Sequence, residues 1–288
     1  MLVFPKIQLR KSSVPKDHPV SSLVREANQR PTGNRRRFFL ALEIVTVIGA
    51  VILCISGVYQ SHSQAKRELN DKLMVTLKDC RGEPGLEIVR DLLRQGASAN
   101  ATNTGSNSLT ALTVAAGRGY PRLAKLLLDS GANVNAKGEV LVQGAGDDFV
   151  LGGITPLSSA AFSGDVQVVR MLIDHGADLN TRDGRGASVM LQARSNDVVQ
   201  TFLDHGLDIN ARDRDGFTLL ILSVLAYGDG KPNAFSARAR TSHMPDVGFL
   251  LQHGANPNVK NKAGLTPLRA AQGRTDLVAL LNNAGAKE

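Results

Sequence analysis

The sequence contains no tryptophan and only two cysteines, and aromatic residues make up 4% of it. Two cysteines exclude a disulfide-stabilised scaffold, and Cys54 and Cys80 lie in segments of different character, so we expect no bridge between them. Few aromatic side chains also mean few of the large anchors that dominate the energy of many protein interfaces. Any binding surface must therefore rely on other residue types.

Motifs for catalysis and metal binding are absent as well. There is no Cys-x-x-Cys, Gly-x-Ser-x-Gly, His-Glu-x-x-His or Gly-x-x-x-x-Gly-Lys. His175, His205 and His253 each precede a glycine at the end of a helical segment, so one structural position explains all three. Asp147 and Asp148 are adjacent and supply too few ligands for calcium. We therefore predict a protein that is not an enzyme, without cofactor, metal or small-molecule substrate.

A five-residue pattern, Gly-Ala-Asx-x-Asn, returns along the chain. It begins, with some variation, at Gly96, Gly131, Gly176, Gly206 and Gly254, and a truncated form begins at Gly285. By subtraction of their numbers, successive glycines are 35, 45, 30, 48 and 31 residues apart. Repetition at such a period indicates a stack of small supersecondary units rather than one globular core.

The segment from Gly153 to Asn180 shows what one unit contains. Thr155 is a preferred helix N-cap, and Pro156 suits the first helical turn because proline has no N–H to lose there. Gly164 is placed where one helix must end and the next begin, a position that favours the left-handed conformation glycine adopts cheaply. Apolar residues recur at helical spacing on both sides of it. We predict two helices, the second ending at Gly176.

The unequal intervals locate two inserts and two deletions. The 45-residue interval places extra residues at about 137–153, where two apolar segments flank a Gly-Ala-Gly-Asp-Asp turn, so we predict an enlarged β-hairpin. The 48-residue interval places its extra residues at about 228–244, between the two helices of one unit. The intervals of 30 and 31 residues predict shortened turns between helices, at 194–197 and 273–276.

Together these features resemble the ankyrin repeat family over most of the chain, from about Asp71 to Glu288. The Thr-Pro-Leu of that family occurs at Thr155 and Thr266, with weaker versions at Thr110 and Thr218. The resemblance implies an all-α fold: an ankyrin-type helical repeat solenoid of about six repeats, with β-hairpin-like fingers. It also implies a non-catalytic function, in which the stacked units offer one broad surface to a partner protein.

Residues 1–37 differ in composition from the rest. They contain nine lysines and arginines against two acidic residues, a net charge of +7, whereas residues 60–288 have a net charge of only +2. Four prolines and few apolar clusters predict a basic flexible tail without a fold of its own. Because the positive charge is concentrated in the tail, the total of +8 does not indicate nucleic-acid binding by the repeats.

Residues 38–59 form an apolar segment with one ionisable side chain, Glu43. At about 1.5 Å per residue, a helix of this length spans about 33 Å, enough to cross the hydrocarbon core of a bilayer. We therefore predict a transmembrane signal-anchor helix at 38–59 within the lipid bilayer, a juxtamembrane helix at 60–70 and the repeat domain at 71–288. A cleaved signal peptide is the alternative, since Ser63-Gln64-Ala65 resembles a cleavage triplet, although its basic leader would be unusually long.

Basic residues flank the apolar segment unequally. Three arginines, Arg35 to Arg37, adjoin it on one side, whereas the first basic residues on the other side are Lys66 and Arg67. The positive-inside rule predicts a single-pass protein with a cytoplasmic N-terminus and extracytoplasmic repeats, which would be periplasmic at a bacterial inner membrane. An alternative keeps the fold and makes the chain a secreted or host-directed effector that uses the apolar segment for export or membrane insertion.

The resemblance places partner contacts on the fingers. The candidates are Leu141, Asp147, Asp148 and Phe149 in the enlarged finger, Arg182, Asp183, Arg214 and Asp215 in two smaller finger turns, and Arg238 and Arg240 in the second insert. The alternative is that both inserts are tolerated loops without a partner. We expect an unidentified protein partner at one or more of these positions.

Overall fold

The computed structural model of the chain describes residues 56, 59–77, 85–103, 107–142, 149–227 and 244–287. The chain divides into two compact units, residues 1–64 and 65–288. The predicted tail at 1–37, nearly all of the apolar segment at 38–59 and most of the insert at 228–244 lie outside the described residues. In the part that is described, no helix combines the length and the apolar character needed to cross a membrane.

Helices follow one another in pairs. The first members are α1 (59–77), α3 (Ala111–Gly117), α5 (Pro156–Ser163), α7 (Val189–Gln192), α9 (Leu219–Ala226) and α11 (Pro267–Ala270). The second members are α2 (Leu86–Arg94), α4 (Pro121–Asp129), α6 (Val166–Asp174), α8 (Asn196–Asp204), α10 (Val247–Gln252) and α12 (Thr275–Asn283). The helical repeat fold is as predicted. Residues 60–70, predicted as a juxtamembrane helix, belong to the same helix as 71–77.

Contacts between helix pairs run in two rows. Among first members, α3 contacts α5, α5 contacts α7, and α9 contacts α11; among second members, α2 contacts α4, α4 contacts α6, and α6 contacts α8. The facing side chains are small or apolar, and Leu157 and Ala160 of α5 are buried, as are Val168 and Leu172 of α6. A single unit has nowhere to bury such faces, so stacking against neighbours supplies the hydrophobic stabilisation.

Threonine side chains begin the first helix of most pairs. Thr155 accepts the N–H of Ser158 at 3.1 Å, and the Ser158 hydroxyl accepts the N–H of Thr155 at 2.9 Å, which makes a capping box ahead of Pro156. Threonine side chains also cap α3, α9 and α11, at Thr110, Thr218 and Thr266. Gly164 ends α5 at a φ of +78°, and Gly176 follows α6 at +83°. Both predicted helix ends are confirmed.

The shortest unit differs from its prediction. We expected its deletion in the turn at 194–197, but α7 has only four residues, against eight in α5. The deletion therefore removes the end of the first helix itself. Ser188 precedes α7 without making a capping bond, and its buried hydroxyl has no hydrogen-bond partner. The other short unit shows the same change, since α11 also has four residues.

Each helix pair ends in a turn of the Gly-Ala-Asx-x-Asn pattern or a variant of it, which we call its closing turn. Asparagine side chains join successive closing turns. Each donates its amide to the carbonyl of the glycine that opens the next closing turn, at 3.0–3.1 Å, and accepts the N–H two residues after that glycine, at 2.7–2.8 Å. These asparagines are Asn100, Asn135, Asn210 and Asn258. Among the described closing turns, only Asn180 lacks both bonds to the next turn, at Gly206. The ladder is thus interrupted beside the pair that contains α7.

The predicted enlarged hairpin is confirmed. β1 (Gly138–Val142) and β2 (Phe149–Ile154) pair antiparallel, with Leu141 opposite Val150. No other residue fits at Gly138 without a shift of the backbone, because an added Cβ would lie 2.6 Å from the carbonyl oxygen of Ser108 in the preceding finger. The hairpin therefore packs directly on its neighbour.

Candidate binding surface of the fingers

The segments that precede α3, α5, α7, α9 and α11 are fingers 1 to 5, and they are hydrogen-bonded in series. They comprise residues 102–110, 138–154, 182–188, 213–217 and 261–265, with 104–106 and 143–148 outside the described residues. The backbone bonds between consecutive fingers are Ser108 N to Glu139 O (3.0 Å), Gly184 N to Gly152 O (2.8 Å), Arg214 N to Arg185 O (3.0 Å) and Lys262 N to Asp215 O (2.9 Å). The fingers therefore form one ribbon with a set spacing, which we call the finger ribbon.

An acidic or amide side chain organises each smaller finger from inside. Asp183 is 7% exposed, and its carboxylate accepts the N–H groups of Arg185 and Ala187, both at 2.9 Å. The same carboxylate accepts hydrogen bonds from the side chains of Gln192, at 3.1 Å, and Arg185, at 3.3 Å. Asp213 and Asn261 accept N–H groups in the same way in fingers 4 and 5. Although we predicted Asp183 as a partner contact, its carboxylate faces the finger itself.

Arg182 and Arg214 lie on the outside of the finger ribbon and link neighbouring fingers. Both are exposed. Arg182 Nη1 donates to the carbonyls of Gly186 at 2.8 Å and Arg212 at 3.2 Å, and Arg214 Nη1 donates to the carbonyl of Gly184 at 2.9 Å. Neither guanidinium forms an ion pair with a described residue. Each is therefore positioned by backbone carbonyls while its charge stays available to another molecule.

The remaining predicted positions are distributed over the two inserts and finger 4. Leu141 is half-buried in β1 and its N–H donates to Asn107 Oδ1 at 2.7 Å, while Val150 opposite it is 57% exposed. Phe149 begins β2, and Asp215 is exposed in finger 4, where its carbonyl accepts Lys262 N. Four further candidates, Asp147, Asp148, Arg238 and Arg240, lie outside the described residues.

Next to finger 3 lies a contact that the sequence patterns did not indicate. Arg194, in the turn after α7, is only 8% exposed, and its guanidinium lies over the ring of Phe162 with Cζ 4.8 Å from the ring centroid. Its Nη1 donates to the carbonyls of Ala193 at 3.2 Å and Leu191 at 3.4 Å, but its buried Nε has no partner. Burial, followed by the positive charge of Arg185, lowers the pKa of Arg194 to about 10. Phe162 is 47% exposed.

The three histidines at helix ends have the structural role we predicted. Nδ1 of His175, His205 and His253 lies 2.7–2.8 Å from the backbone carbonyl four residues earlier. Each ring therefore hydrogen-bonds a backbone carbonyl in the last turn of its helix, and the carbonyls of Met171 and Phe249 also accept the backbone N–H of the same histidine. Within the described residues, no three histidine, cysteine or acidic side chains are grouped closely enough to bind a metal ion.

Stacked helix pairs joined by a ribbon of fingers define a helical repeat protein, a class that binds other molecules over an extended surface. Residues 75–183 match the family model of ankyrin repeats, in three copies, so this part of the chain belongs to the ankyrin repeat family. No curated protein matches the chain at a significant level. Ankyrin repeats are protein–protein interaction modules. The predicted total of about six repeats stays a prediction.

Proposed function

We propose that the chain is a scaffold that binds a partner protein on the finger ribbon without catalysis and is tethered to a membrane by residues 38–59. The observation that supports the binding surface best is the geometry of Arg182 and Arg214. Both side chains are exposed yet already held by backbone carbonyls, so a partner immobilises less side-chain freedom when it binds them. Because the planar guanidinium matches carboxylate geometry, we expect acidic groups on the partner.

The enlarged hairpin extends this surface. Leu141 and Val150 lie opposite each other on a finger bonded to finger 3 through Gly184 and Gly152. The exposed Val150 provides an apolar contact on finger 2, which is hydrogen-bonded to finger 3. Asp147, Asp148, Phe149, Asp215, Arg238 and Arg240 remain candidate contacts at the margins of this surface.

The binding proposal is tested by crosslinking and capture with the full-length chain as bait. The test variant is Arg182→Glu/Arg214→Glu, and the matched control is Arg170→Glu, an exposed arginine on α6 outside the fingers. We expect the double variant to lose the captured partner at least about tenfold, since each charge-assisted hydrogen bond contributes about 1.5–3 kcal/mol. The control should retain it. Equal capture by all three chains, with unchanged circular dichroism, would contradict binding through the finger ribbon.

The membrane proposal is supported by the length and composition of residues 38–59 and by the arginines that precede them. The test places paired reporters after Glu288, one active only in the cytoplasm and one only outside it. An extracytoplasmic signal in the membrane fraction is expected. A cytoplasmic signal would reverse the orientation, and mature protein in the culture medium would favour the secreted effector over the tethered scaffold.

A further inference from the structure

The first helix pair has an open apolar hollow on its surface. Its volume is about 400 Å³, and it is lined by Asp71, Lys72, Val75 and Thr76 of α1 and by Ile88 and Leu92 of α2. Val75 and Ile88 are each 55% exposed. No residue from any other helix pair lines it. Among the described residues, α1 and α2 have a neighbouring helix pair on one side only, so the hollow lies at the end of the described stack.

This end differs from what a repeat stack ordinarily requires. A terminal repeat has no neighbour on its outer face, so that face must be polar for the protein to stay soluble. The opposite end is more polar: Asp276, Asn282 and Asn283 of α12 are exposed, and its most exposed large apolar side chain is Leu280, at 37%. The face of α1 and α2 instead exposes two β-branched aliphatic side chains around a hollow. Such a face indicates that another surface covers it.

Charges around the hollow favour one kind of occupant. Of the six residues that line the hollow, Asp71 and Lys72 are charged, one acidic and one basic. The rim therefore has no net formal charge. In a two-fold symmetric contact a patch meets its own copy, so a net charge would repel itself, whereas a balanced rim can pair with itself. A neutral rim does not attract the chain's own basic tail, which has a net charge of +7.

We propose that the face formed by α1 and α2 is the interface of a homodimer. Val75 and Ile88 of each chain pack into the hollow of the other, and the charged rims pair around them. An interface of ordinary size buries about 800 Å² on each partner, so the contact extends along α1, whose 19 helical residues have a length of about 28 Å. Dimerisation at this end leaves the finger ribbon free for the partner proposed above.

The test measures the oligomeric state of the purified full-length chain by light scattering and sedimentation over a range of concentrations. The wild type is expected to form a dimer. The variant Val75→Glu/Ile88→Glu should weaken association at least about 100-fold, because it places two charges in a desolvated contact. The control Val150→Glu changes an equally exposed valine on β2 and should leave the dimer intact.

Two results would overturn the proposal. One is a monomeric wild type, which would leave the hollow to another segment of the chain or to a different protein. The other is a Val75→Glu/Ile88→Glu variant that is as dimeric as the wild type, which would place the contact elsewhere, for example in residues 38–59. If the double variant loses helicity, the variant Val75→Thr/Ile88→Thr is measured instead, because both replacements remain β-branched and uncharged while adding polarity. A folded threonine variant with undiminished association would also contradict the proposal.

Discussion

The third and fourth helix pairs have the same two-helix plan but differ in how their ends are stabilised. In the third, α5 has eight residues, a capping box at Thr155 and a left-handed glycine at its end. In the fourth, α7 has four residues, an uncapped start at Ser188, a buried arginine after it whose Nε has no partner, and no asparagine bond into its closing turn. Yet the central apolar residues are buried in both first helices, Leu157, Ala160 and Ala161 in α5 and Val189, Met190 and Leu191 in α7. Core packing is therefore preserved where capping is lost.

Substitutions in the cores should lower the free energy of unfolding most, and the loss should be equal in the two pairs. Leu157 of α5 and Met190 of α7 are each 1% exposed. We expect Leu157→Ala and Met190→Ala each to lower the free energy of unfolding by about 2–5 kcal/mol, because each leaves a cavity. Urea unfolding of the purified full-length chain, followed by circular dichroism, measures this. Val150→Ala, at an exposed position, should change it by less than about 0.5 kcal/mol. A much smaller loss for Met190→Ala would show that the fourth pair is loosely packed.

The helix caps should distinguish the two pairs. Thr155→Val keeps the side-chain shape but removes the hydroxyl that accepts the Ser158 N–H, so we expect a loss of about 1–2 kcal/mol in the free energy of unfolding. Ser188→Ala removes a buried hydroxyl that has no partner and should be neutral or slightly stabilising. The same unfolding measurement compares them. A loss for Ser188→Ala as large as that for Thr155→Val would mean that Ser188 caps α7 in solution.

The buried arginine is expected to cost stability. Arg194→Met should raise the free energy of unfolding by about 1 kcal/mol, because it removes an unpaired charge from an apolar site at similar volume. Burial lowers the pKa of Arg194 to about 10, below its value in the unfolded chain, so above about pH 10 the folded state binds fewer protons than the unfolded state. The penalty is therefore complete below about pH 10 and disappears as the pH rises through the pKa of the arginine in the unfolded chain.

The advantage of Arg194→Met over the wild type should accordingly shrink above pH 10, as shown by unfolding curves at several pH values. Arg170→Met, on the exposed face of α6, controls for the change of residue type. A destabilised Arg194→Met variant would mean that the carbonyl bonds and the contact with Phe162 outweigh the desolvation of the charge.

The smallest difference in stability loss between the two pairs should come from substitutions in their closing turns. Asn135→Ala removes a donor to the Gly176 carbonyl and an acceptor of the Asp178 N–H, so we expect a loss of about 0.5–1 kcal/mol for these exposed bonds. Asn180→Ala removes neither kind of bond and should stay within about 0.5 kcal/mol of the wild type. Equal losses for the two variants would show that the ladder continues through the fourth pair.

Much of the repeat architecture was predictable because its determinants act over a few residues. A threonine before proline, a glycine where φ must be positive, and apolar residues at helical spacing each act within one or two turns. These rules located the helix ends at Thr155, Gly164 and Gly176, and the turn residues located the enlarged hairpin at about 137–153, where the structure has strands between 138 and 154. The predicted position of the deletion in the fourth pair was wrong. A deletion can shorten either the helix or the turn that follows it, and packing against α5 decides between the two.

The binding surface was less predictable. Asp183 and Arg182 are adjacent and both charged, so composition ranks them equally as partner contacts. In the structure the carboxylate of Asp183 faces inward to four hydrogen bonds, and the guanidinium of Arg182 faces outward. The preference of aspartate for the first position of a turn was an available signal, since such a side chain accepts backbone N–H groups two residues on.

Local patterns establish the succession of helix pairs, most of the places where the helices begin and end, and the class of protein, because caps, turn glycines and helical periodicity act over a few residues. Packing between units decides which charges are buried, which fingers are bonded to one another, and that the first helix pair exposes Val75 and Ile88. These properties depend on residues tens of positions apart. Their free energies arise from desolvation and packing between neighbouring units, and no local pattern encodes the distance between two such units.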